Sequence, residues 1–485
     1  MANPKEPLTL YNSLTKRVEP FLPFRDDQVT IYHCGPTVYK RQHIGNMRRF
    51  LFADFLNRTL TTLGYAVKDV TNITDVGHLT EDDLDQGDDK LAKEAEAQAT
   101  TPQAIAERET QHFLADLDAL NIRPSTAYPK ATEHIADMQE LIQQLLDNDH
   151  AYQTETGVYF SVESFPAYGT LSGNTLEKIE AGKRVEVRDE KKHPADFALW
   201  IFDDGALQKW DSPWGAGYPG WHIECSAMAK QHLGETIDIH TGGEDNRFPH
   251  HENEIAQSTG ASGKPFAQFF MHNRHLQLDG AKLAKREGEQ ITLDTLAERG
   301  YSLLAFRLLV FGSHYRKPLD FSWESLDAAN ENLESVKQLL RRISSPYQGE
   351  VARPQAGRRG QGEKATIEKF TAALADDLNT PEALAVVLGY VKEANAQLDA
   401  GQADEAEILA TLMAFDAVLG IIEPLQQELA AEDIPAEVQQ LVDQREEARA
   451  NGNFTESDRL RDAIAEAGFT VEDTSTGPRI VPTVG

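Results

Sequence analysis

The sequence contains only two cysteines among its 485 residues. So few thiols exclude a disulfide framework and are typical of a reducing compartment. Apolar runs are short as well, because none approaches the ~20 residues that a membrane span needs. The N-terminal MANPKEPLTL lacks the apolar core of a signal peptide. We therefore expect a cytoplasmic protein with no membrane partner.

Positive charge is also scarce, with 47 Lys and Arg against 78 Asp and Glu and a net charge of −31. This balance argues against a broad, non-specific nucleic-acid surface. It is compatible with a local basic groove, and adaptation to high salt is a second source of such acidity. The most acidic segment, Glu81–Lys90, is interpreted as a solvated surface loop, with a calcium site as the alternative.

The first 75 residues follow an α/β pattern. Val29–Tyr32 predicts a strand, roughly Arg49–Leu63 a helix that ends at Gly64, and Tyr65–Val70 a second strand. Loops that leave such strands at their carboxyl ends are where α/β sheets present ligand groups. Here those loops read CGPTVYKRQHIGN and NITDV.

Two short motifs are candidates for phosphate contact. His43-Ile44-Gly45-Asn46 lies in a glycine-bearing loop before a helix, where free backbone N–H groups point outward. The cluster KLAKR supplies Lys282 and Lys285. Each motif also has a plainer interpretation, a capped helix start for the first and a solvated basic turn for the second.

Cysteine, histidine and glutamate residues form a candidate metal site. Cys34 and Cys225 each lie in a loop at the edge of the predicted α/β core, although 191 residues separate them. His250 and Glu254, in PHHENEIA, are four apart and share one face of a helix. Two thiolates, an imidazole and a carboxylate suit tetrahedral zinc. Two buried cysteines and a polar helix start are the alternative.

The rest of the chain predicts an insertion and then mostly helices. A turn-rich, β-containing stretch comes first, and the alternating pattern of strands and helices resumes from Gly217 onward. Trp323–Ile343 and Ile367–Gly401 have strongly helical patterns. Pro435–Gly468 predicts a helical hairpin, and Phe469–Pro482 predicts short strands.

The joint order of these motifs resembles the cysteinyl-tRNA synthetases, a family of class I aminoacyl-tRNA synthetases. The matching sequence segments are the loop cysteine, HIGN, NIT, GWHIECSAM, DIHTGG, FPHHENEIAQS, K-x-x-K and DDLNTPEALA. The resemblance runs from Leu10 to about Ile480, and GWHIECSAM with FPHHENEIAQS is its most specific part.

The resemblance implies an α/β fold with a Rossmann-type class I catalytic core split by an insertion. A helical bundle and a small C-terminal α/β module that binds the anticodon would follow. The implied boundaries are 1–120 and 216–265 for the two halves of the core, 121–215 for the connective insertion, 266–322 for a connecting domain with the KLAKR loop, 323–425 for the bundle and 426–485 for the C-terminal module.

The resemblance also implies one zinc ion per chain, held by Cys34, Cys225, His250 and Glu254, with His251 as a rival to His250. The zinc would select cysteine through its thiolate, because a serine hydroxyl is a much poorer ligand and its desolvation would go unmatched. Gly35, Thr74 and Trp221 match family positions beside the amino acid, together with Cys34.

On the nucleotide side, the resemblance assigns ATP contact and catalysis to four residues, His43, Asn46, Lys282 and Lys285, with Gly45 between the first two. Mg²⁺ is expected to accompany ATP. Asn46 stands where class I enzymes usually have histidine, and KLAKR replaces KMSKS, so two hydroxyls are lost. We predict that activity is retained with altered ATP affinity, which single-turnover adenylate formation measures.

The implied function is ATP-dependent activation of L-cysteine and its transfer to tRNA(Cys) by a monomer. One alternative is a ligase that passes cysteine to a small-molecule amine. The tail QREEARANGNFTESDRLRD, which resembles the synthetase tail, favours tRNA over that alternative. A non-catalytic paralogue is the other alternative, and the presence of all four predicted metal ligands argues against it.

Overall fold

The computed structural model describes most of the chain, namely residues 8–26, 28–77, 79–81, 86–174, 190–278, 281–282, 290–343, 361–432, 435–474 and 477–482. The chain divides into two compact units. The first comprises residues 1–331 and 364–389, and the second comprises residues 332–363 and 390–485.

Strands and helices alternate along the first unit. Its strands are β1 (Thr9–Asn12), β2 (Arg17–Pro20), β3 (Gln28–His33), β4 (Ala66–Thr71), β5 (Leu79–Glu81), β6 (Gln86–Asp89), β7 (Ala151–Gln153), β8 (Gly157–Phe160), β9 (Phe197–Phe202), β10 (Gly217–Pro219), β11 (Ile237–Gly243), β12 (Ala267–Asn273), β13 (Leu276–Leu278), β14 (Ala281–Lys282) and β15 (Leu319–Phe321). Its helices are α1 (Ile44–Thr62), α2 (Lys90–Ala97), α3 (Pro102–Ala119), α4 (Ile135–Asp147), α5 (Trp221–Leu233), α6 (Glu252–Ser262), α7 (Leu293–Glu298), α8 (Leu303–Phe311), α9 (Trp323–Ile343), α10 (Gln361–Ala375) and α11 (Thr380–Asp399), and some of these continue into the second unit.

A four-stranded parallel sheet, in the order β12-β11-β3-β4, forms the centre of the first unit. Helix α1 connects β3 to β4 across one face of the sheet, and α6 connects β11 to β12 across the opposite face. The strand order therefore reverses between β3 and β11, and in such sheets the crevice at that point binds ligands. This sheet confirms the predicted Rossmann-type core.

Both faces of the sheet are buried, as parallel sheets require. Val29 and Ile31 of β3 pack with Phe52 and Leu56 of α1 on one face. Tyr32, one residue on, belongs to the core of the opposite face. Because both faces are covered, β3 is buried from Val29 to its last residue, including the polar Thr30 and His33.

Helix α1 begins at Ile44, whereas the sequence analysis placed its start near Arg49. His43 is the N-cap, and its Nδ1 accepts a hydrogen bond from the backbone N–H of Asn46 at 3.2 Å. Gly45 and Asn46 in the first turn are only half-buried. Ile44 and Met47 of the same turn are fully buried, but the residues between them and Phe50 are glycine or polar, so the continuous apolar pattern starts later than the helix itself.

Of the segments between the strands of the parallel sheet, the acidic one differs from its prediction, and the turn-rich stretch contains strands as predicted. The acidic segment contributes the antiparallel hairpin β5–β6 and the first residue of α2 where a loop was predicted, and its residues 82–85 lie outside the described part. The stretch between α4 and α5 forms a separate antiparallel sheet in the order β10-β9-β8-β7.

The second unit contains helices and one two-stranded sheet. Its further elements are α12 (Glu405–Leu419), α13 (Ile422–Glu432), α14 (Ala436–Ala450), α15 (Phe454–Glu466), β16 (Phe469–Thr474) and β17 (Gly477–Pro482). The predicted hairpin is present as α14 and α15, and β16 pairs antiparallel with β17. Within the described residues no single helix has the length and apolarity of a membrane span, although α12 and α13 pass that test together across a 117° bend.

A buried charge cluster joins α1 to α8. Asp54 Oδ2 accepts hydrogen bonds from Arg58 at 2.8 Å and from Arg307 at 2.6 Å. Arg307 is fully buried and also donates to the carbonyl oxygens of Leu120 and Asn121. The single carboxylate of Asp54 therefore balances two buried guanidinium groups.

We predict that Asp54→Ala lowers the free energy of unfolding by about 3–5 kcal/mol, because it leaves two buried arginines without their carboxylate. Urea unfolding followed by circular dichroism measures the change. Lys264→Ala, which breaks the exposed pair with Glu235, is the control and should not move the midpoint. An equal response of the two variants would contradict the assigned role of the cluster.

Candidate active site

A cleft of about 440 Å³ lies at the carboxyl edge of the parallel sheet. The predicted site residues that line it come from both halves of the sequence. They are Cys34, Gly35, His43, Gly45, Asn46, Thr74, Trp221, Cys225 and His250. Glu254 is fully buried next to His250, with Glu254 Oε1 at 3.0 Å from His250 Nε2. The structure therefore brings Cys225 and His250 to Cys34 and His43, which precede them by about two hundred residues in the sequence.

Two overlapping groups of side chains in the described part of the chain have the composition of a metal site. One group is Cys34, Cys225, His250 and Glu254, and the other replaces Cys225 and His250 with His240 and His251. In each group the ligand atoms lie within 4.8 Å of one another. Because the groups share two residues, they represent alternative positions for one ion.

Access to the cleft distinguishes the two groups. Cys34, Cys225 and His250 line the cleft, whereas His240 and His251 are fully buried beneath it. Their ring nitrogens also have close partners: His251 Nδ1 lies 3.0 Å from His272 Nε2, and His240 Nδ1 lies 2.9 Å from the carbonyl oxygen of Tyr32. An ion in the second group would be sealed from solvent, but an ion in the first could take a ligand from the cleft.

The buried histidines orient the candidate ligands. His240 Nε2 lies 2.8 Å from Glu254 Oε2, and His222 Nδ1 lies 2.7 Å from His250 Nδ1. Such outer contacts fix the rotamer of a ligand and, for histidine, its tautomer. These histidines are the largest group that the sequence analysis missed. The available signal was a histidine inside the buried strand of DIHTGG, and that motif was quoted only as part of the family resemblance.

The two thiols differ in acidity. Burial alone would raise the pKa of Cys34, but a hydrogen bond from Cys225 and the nearby histidines hold that pKa well below its usual value. The hydrogen bond to Cys34 and burial raise the pKa of Cys225. The pair therefore already favours one thiolate, and a bound metal would displace the remaining proton.

The loop after β4 forms the wall beside the thiols. The Asn72 side chain accepts a hydrogen bond from the N–H of Gly35 at 2.6 Å and donates to Thr74 Oγ1 at 3.1 Å. Thr74 in turn donates to Glu224 at 2.9 Å. Asn72 and Glu224 were not predicted as site residues, although NITDV was expected to present ligand groups. The Trp221 ring lies 4.7 Å from the His250 ring, centroid to centroid.

The nucleotide candidates lie at the other end of the cleft. Asn46 donates to Gln42 Oε1 at 2.7 Å, next to His43 at the start of α1. Lys282 is the last residue of β14, and only its backbone is described. Lys285 lies outside the described residues, so the contribution of both lysines stays a prediction.

Sequence profiles of known families match along the chain. The profile described as "tRNA synthetases class I (C) catalytic domain" matches residues 20–331. A DALR domain matches residues 369–423, and the "cysteinyl-tRNA ligase anticodon binding domain" matches residues 431–478. The chain belongs to the cysteinyl-tRNA synthetase family.

Relatives within the cysteinyl-tRNA synthetase family align over nearly the whole chain. The cysteine–tRNA ligase of Chlorobaculum tepidum is 41% identical over 490 residues, covering 97% of this chain and 98% of the relative. That of Thermus thermophilus is 41% identical over 482 residues, with the same coverage. Methionyl-tRNA synthetase of Mycobacterium tuberculosis, solved with methionyl-adenylate, superposes with a TM-score of 0.56 at 15% identity, covering 83% of this chain and 91% of that one, which shows the fold alone.

The close approach of Gly35 to the loop after β4 generates a prediction. A Cβ added at Gly35 would lie 1.5 Å from the backbone oxygen of Asn72, and neither backbone can yield without moving the loop. We predict that Gly35→Ala lowers the free energy of unfolding by about 3 kcal/mol and weakens cysteine binding. Urea unfolding and calorimetric titration measure the two effects.

Gly389→Ala is the matched control for Gly35→Ala. Gly389 lies inside α11, and a Cβ there would meet nothing within 4 Å. Its replacement should stabilise the protein by about 1 kcal/mol, the usual helix-propensity gain. A Gly35→Ala protein that is as stable as wild type and binds cysteine as tightly would show that the backbone contact is not essential.

Proposed function

We propose that the cleft joins L-cysteine to ATP and then charges tRNA(Cys), with the thiol recognised at one end and the nucleotide at the other. The chain is an ATP-dependent cysteine–tRNA ligase. The observation that carries this function is the single cleft lined by Cys34, Cys225 and His250 together with His43 and Asn46. The two reactants of an adenylation must meet in one place, and this cleft provides it.

The donor set supports zinc as the metal at the thiol end. Two thiols, one imidazole and one carboxylate are within reach of a common ion, and soft sulfur donors favour zinc over magnesium or calcium. We assign Cys34, Cys225, His250 and Glu254 as its ligands, because this group faces the cleft. When bound, zinc would supply a Lewis acid that accepts the substrate thiolate and accepts a serine hydroxyl far less well.

The chain's own residues would shape the amino-acid position around that ion. Glu254 is held by His240, and His250 is held by His222, so both ligands are oriented before substrate arrives. Trp221 packs beside His250 and offers an apolar wall. The Asn72–Thr74–Glu224 chain fixes the opposite wall.

Adenylation proceeds by in-line attack at phosphorus. A carboxylate oxygen of cysteine forms a bond to the α-phosphorus of ATP, and the bond from that phosphorus to the oxygen bridging the β-phosphate breaks. Pyrophosphate leaves with the electron pair, and its magnesium ion accompanies it. Negative charge grows on the phosphoryl oxygens, so pre-positioned donors and cations accelerate the step.

We assign the phosphate contacts to His43, Gly45 and Asn46 at the start of α1, and to Lys282 and Lys285 from the KLAKR motif. The helix N-terminus adds its free N–H groups to these side chains. In the second step, a ribose hydroxyl of the terminal adenosine of tRNA attacks the cysteinyl carbonyl carbon and loses its proton. AMP leaves with the electron pair of the broken carbon–oxygen bond.

The cysteine ligase that uses a small-molecule amine is the second candidate from the sequence. The anticodon-binding profile at residues 431–478 supports tRNA instead. Charging assays with purified tRNA(Cys), run beside ATP–pyrophosphate exchange, test the choice. Exchange with aminoacyl ester formation is expected, whereas exchange alone would indicate the small-molecule ligase and neither would indicate a non-catalytic paralogue.

Substitutions at the two ends of the cleft should affect different properties of the enzyme. Cys225→Ala and His250→Ala should reduce zinc from one ion per chain and raise the KM for cysteine, because each removes a proposed ligand. His43→Asn should keep the zinc and the helix cap, since asparagine is a good N-cap. It should nevertheless lower the kcat of exchange about 10²–10³-fold through loss of a phosphate donor.

Metal analysis and steady-state exchange kinetics on the same preparations check this pattern. Retention of one zinc per chain in both Cys225→Ala and His250→Ala would favour the sealed group with His240 and His251. Unchanged exchange in His43→Asn would remove that residue from the nucleotide site.

A further inference from the structure

Arg49 places a guanidinium group inside the cleft that neither the metal ligands nor the two nucleotide motifs account for. It lies on α1, and its side chain lines the same cleft as Cys34 and His43. Its Nη2 donates to the carbonyl oxygen of Gly35 at 3.1 Å, and its Cζ lies 4.6 Å from the centroid of the Phe50 ring. These two contacts hold the group beside the loop that carries Cys34.

The cleft-lining arginines differ in their partners. Arg41 is neutralised, because its Nη2 lies 2.9 Å from Asp116 Oδ1 and 3.0 Å from Asp294 Oδ1. Arg49, by contrast, has no carboxylate oxygen within 4.0 Å among the described residues. Lys40 also lines the cleft and lies over the Tyr39 ring, so two cations without a nearby carboxylate in the described part of the chain face it, and Arg49 is the one that contacts the Cys34 loop.

Arg49 is half-buried, and its partial removal from water makes this charge costly to hold. This desolvation lowers the pKa of the Arg49 guanidinium, and the negative charges of Cys34, Asp245 and Cys225 offset the effect only in part. A charge that is partly removed from water and has no hydrogen-bonded counter-ion is unfavourable, so an anionic ligand here would be bound more tightly than at the surface. The planar fork of arginine donors suits a carboxylate or a phosphate.

The position of Arg49 identifies which anion is within reach. It lies next to the proposed thiol site, and in cysteine only two carbon atoms separate the sulfur from the carboxyl carbon. That carboxylate must also touch the α-phosphate during adenylation, so both oxyanions pass through the same part of the cleft. We propose that Arg49 binds the oxyanion at the reacting centre, either the carboxylate of cysteine or the α-phosphate of ATP.

This inference rests on the proposed function, and a binding measurement tests it separately from catalysis. Cysteine and cysteamine, which has the thiol and amine but no carboxylate, are titrated into zinc-loaded wild type, Arg49→Met and Arg49→Lys. If the carboxylate is the ligand, Arg49→Met should weaken cysteine binding about 10- to 100-fold, the usual effect of losing a charged hydrogen bond. Cysteamine binding should not change, and Arg49→Lys should recover part of the loss.

If the α-phosphate is the ligand, cysteine binding should stay unchanged in Arg49→Met while the KM for ATP rises and the kcat of exchange falls. Arg17→Met removes the same charge from an exposed position and should match wild type in every measurement. Equal weakening of cysteine and cysteamine, or no change in binding and exchange, would overturn the proposal. Absence of exchange in wild type would instead contradict the proposed function, and the titrations would still decide the role of Arg49 toward the carboxylate.

Discussion

The pairing of β3 with β11 is the constraint on which the site depends. It aligns Tyr32 with His240 and brings the chain after β3 to the same edge as the chain after β11. The N–H of Cys34 then donates to the carbonyl oxygen of Thr241 at 3.1 Å, which continues the ladder one residue beyond the strand. Cys34 is therefore placed by backbone hydrogen bonds, and the strand beside it supplies the buried His240. A slip of one residue in this register would turn the opposite face of β3 toward the site.

Contacts behind the candidate metal ligands make this group of side chains suitable for recognising a thiol substrate. His222 and His240 orient the donors of the cleft-facing group, and the sealed alternative uses His240 itself as a ligand together with His251. A site that selects its substrate by a metal–sulfur bond needs both features. The ligands must be rigid, and one position must stay open to the cleft. Gly45 and Asn46 at the start of α1 line the same cleft as Cys34 and Cys225, so the thiols and the first turn of that helix share one cavity.

Sequence patterns predicted the elements that obey strong periodicity and the residues that lie in specific motifs. The β3 strand, the α14–α15 hairpin and the meeting of Cys34 with Cys225 and His250 are examples. Residues whose role depends on contacts between distant segments were missed. Asn72 and Glu224 have ordinary sequence surroundings, and only the fold shows that they tie the Gly35 loop to α5. The start of α1 was misplaced because its first turn combines two buried apolar residues with Gly45 and Asn46, and the continuous apolar pattern begins only at Phe50.

We propose that the thiol of the substrate enters the coordination sphere of a metal held by Cys34, Cys225, His250 and Glu254. Replacement of the zinc with cobalt makes this visible, since each thiolate bound to cobalt adds charge-transfer absorption. Titration with cysteine should increase that absorption, whereas serine and alanine at the same concentrations should leave it unchanged. An unchanged spectrum on saturation with cysteine, or an equal response to serine, would contradict the account.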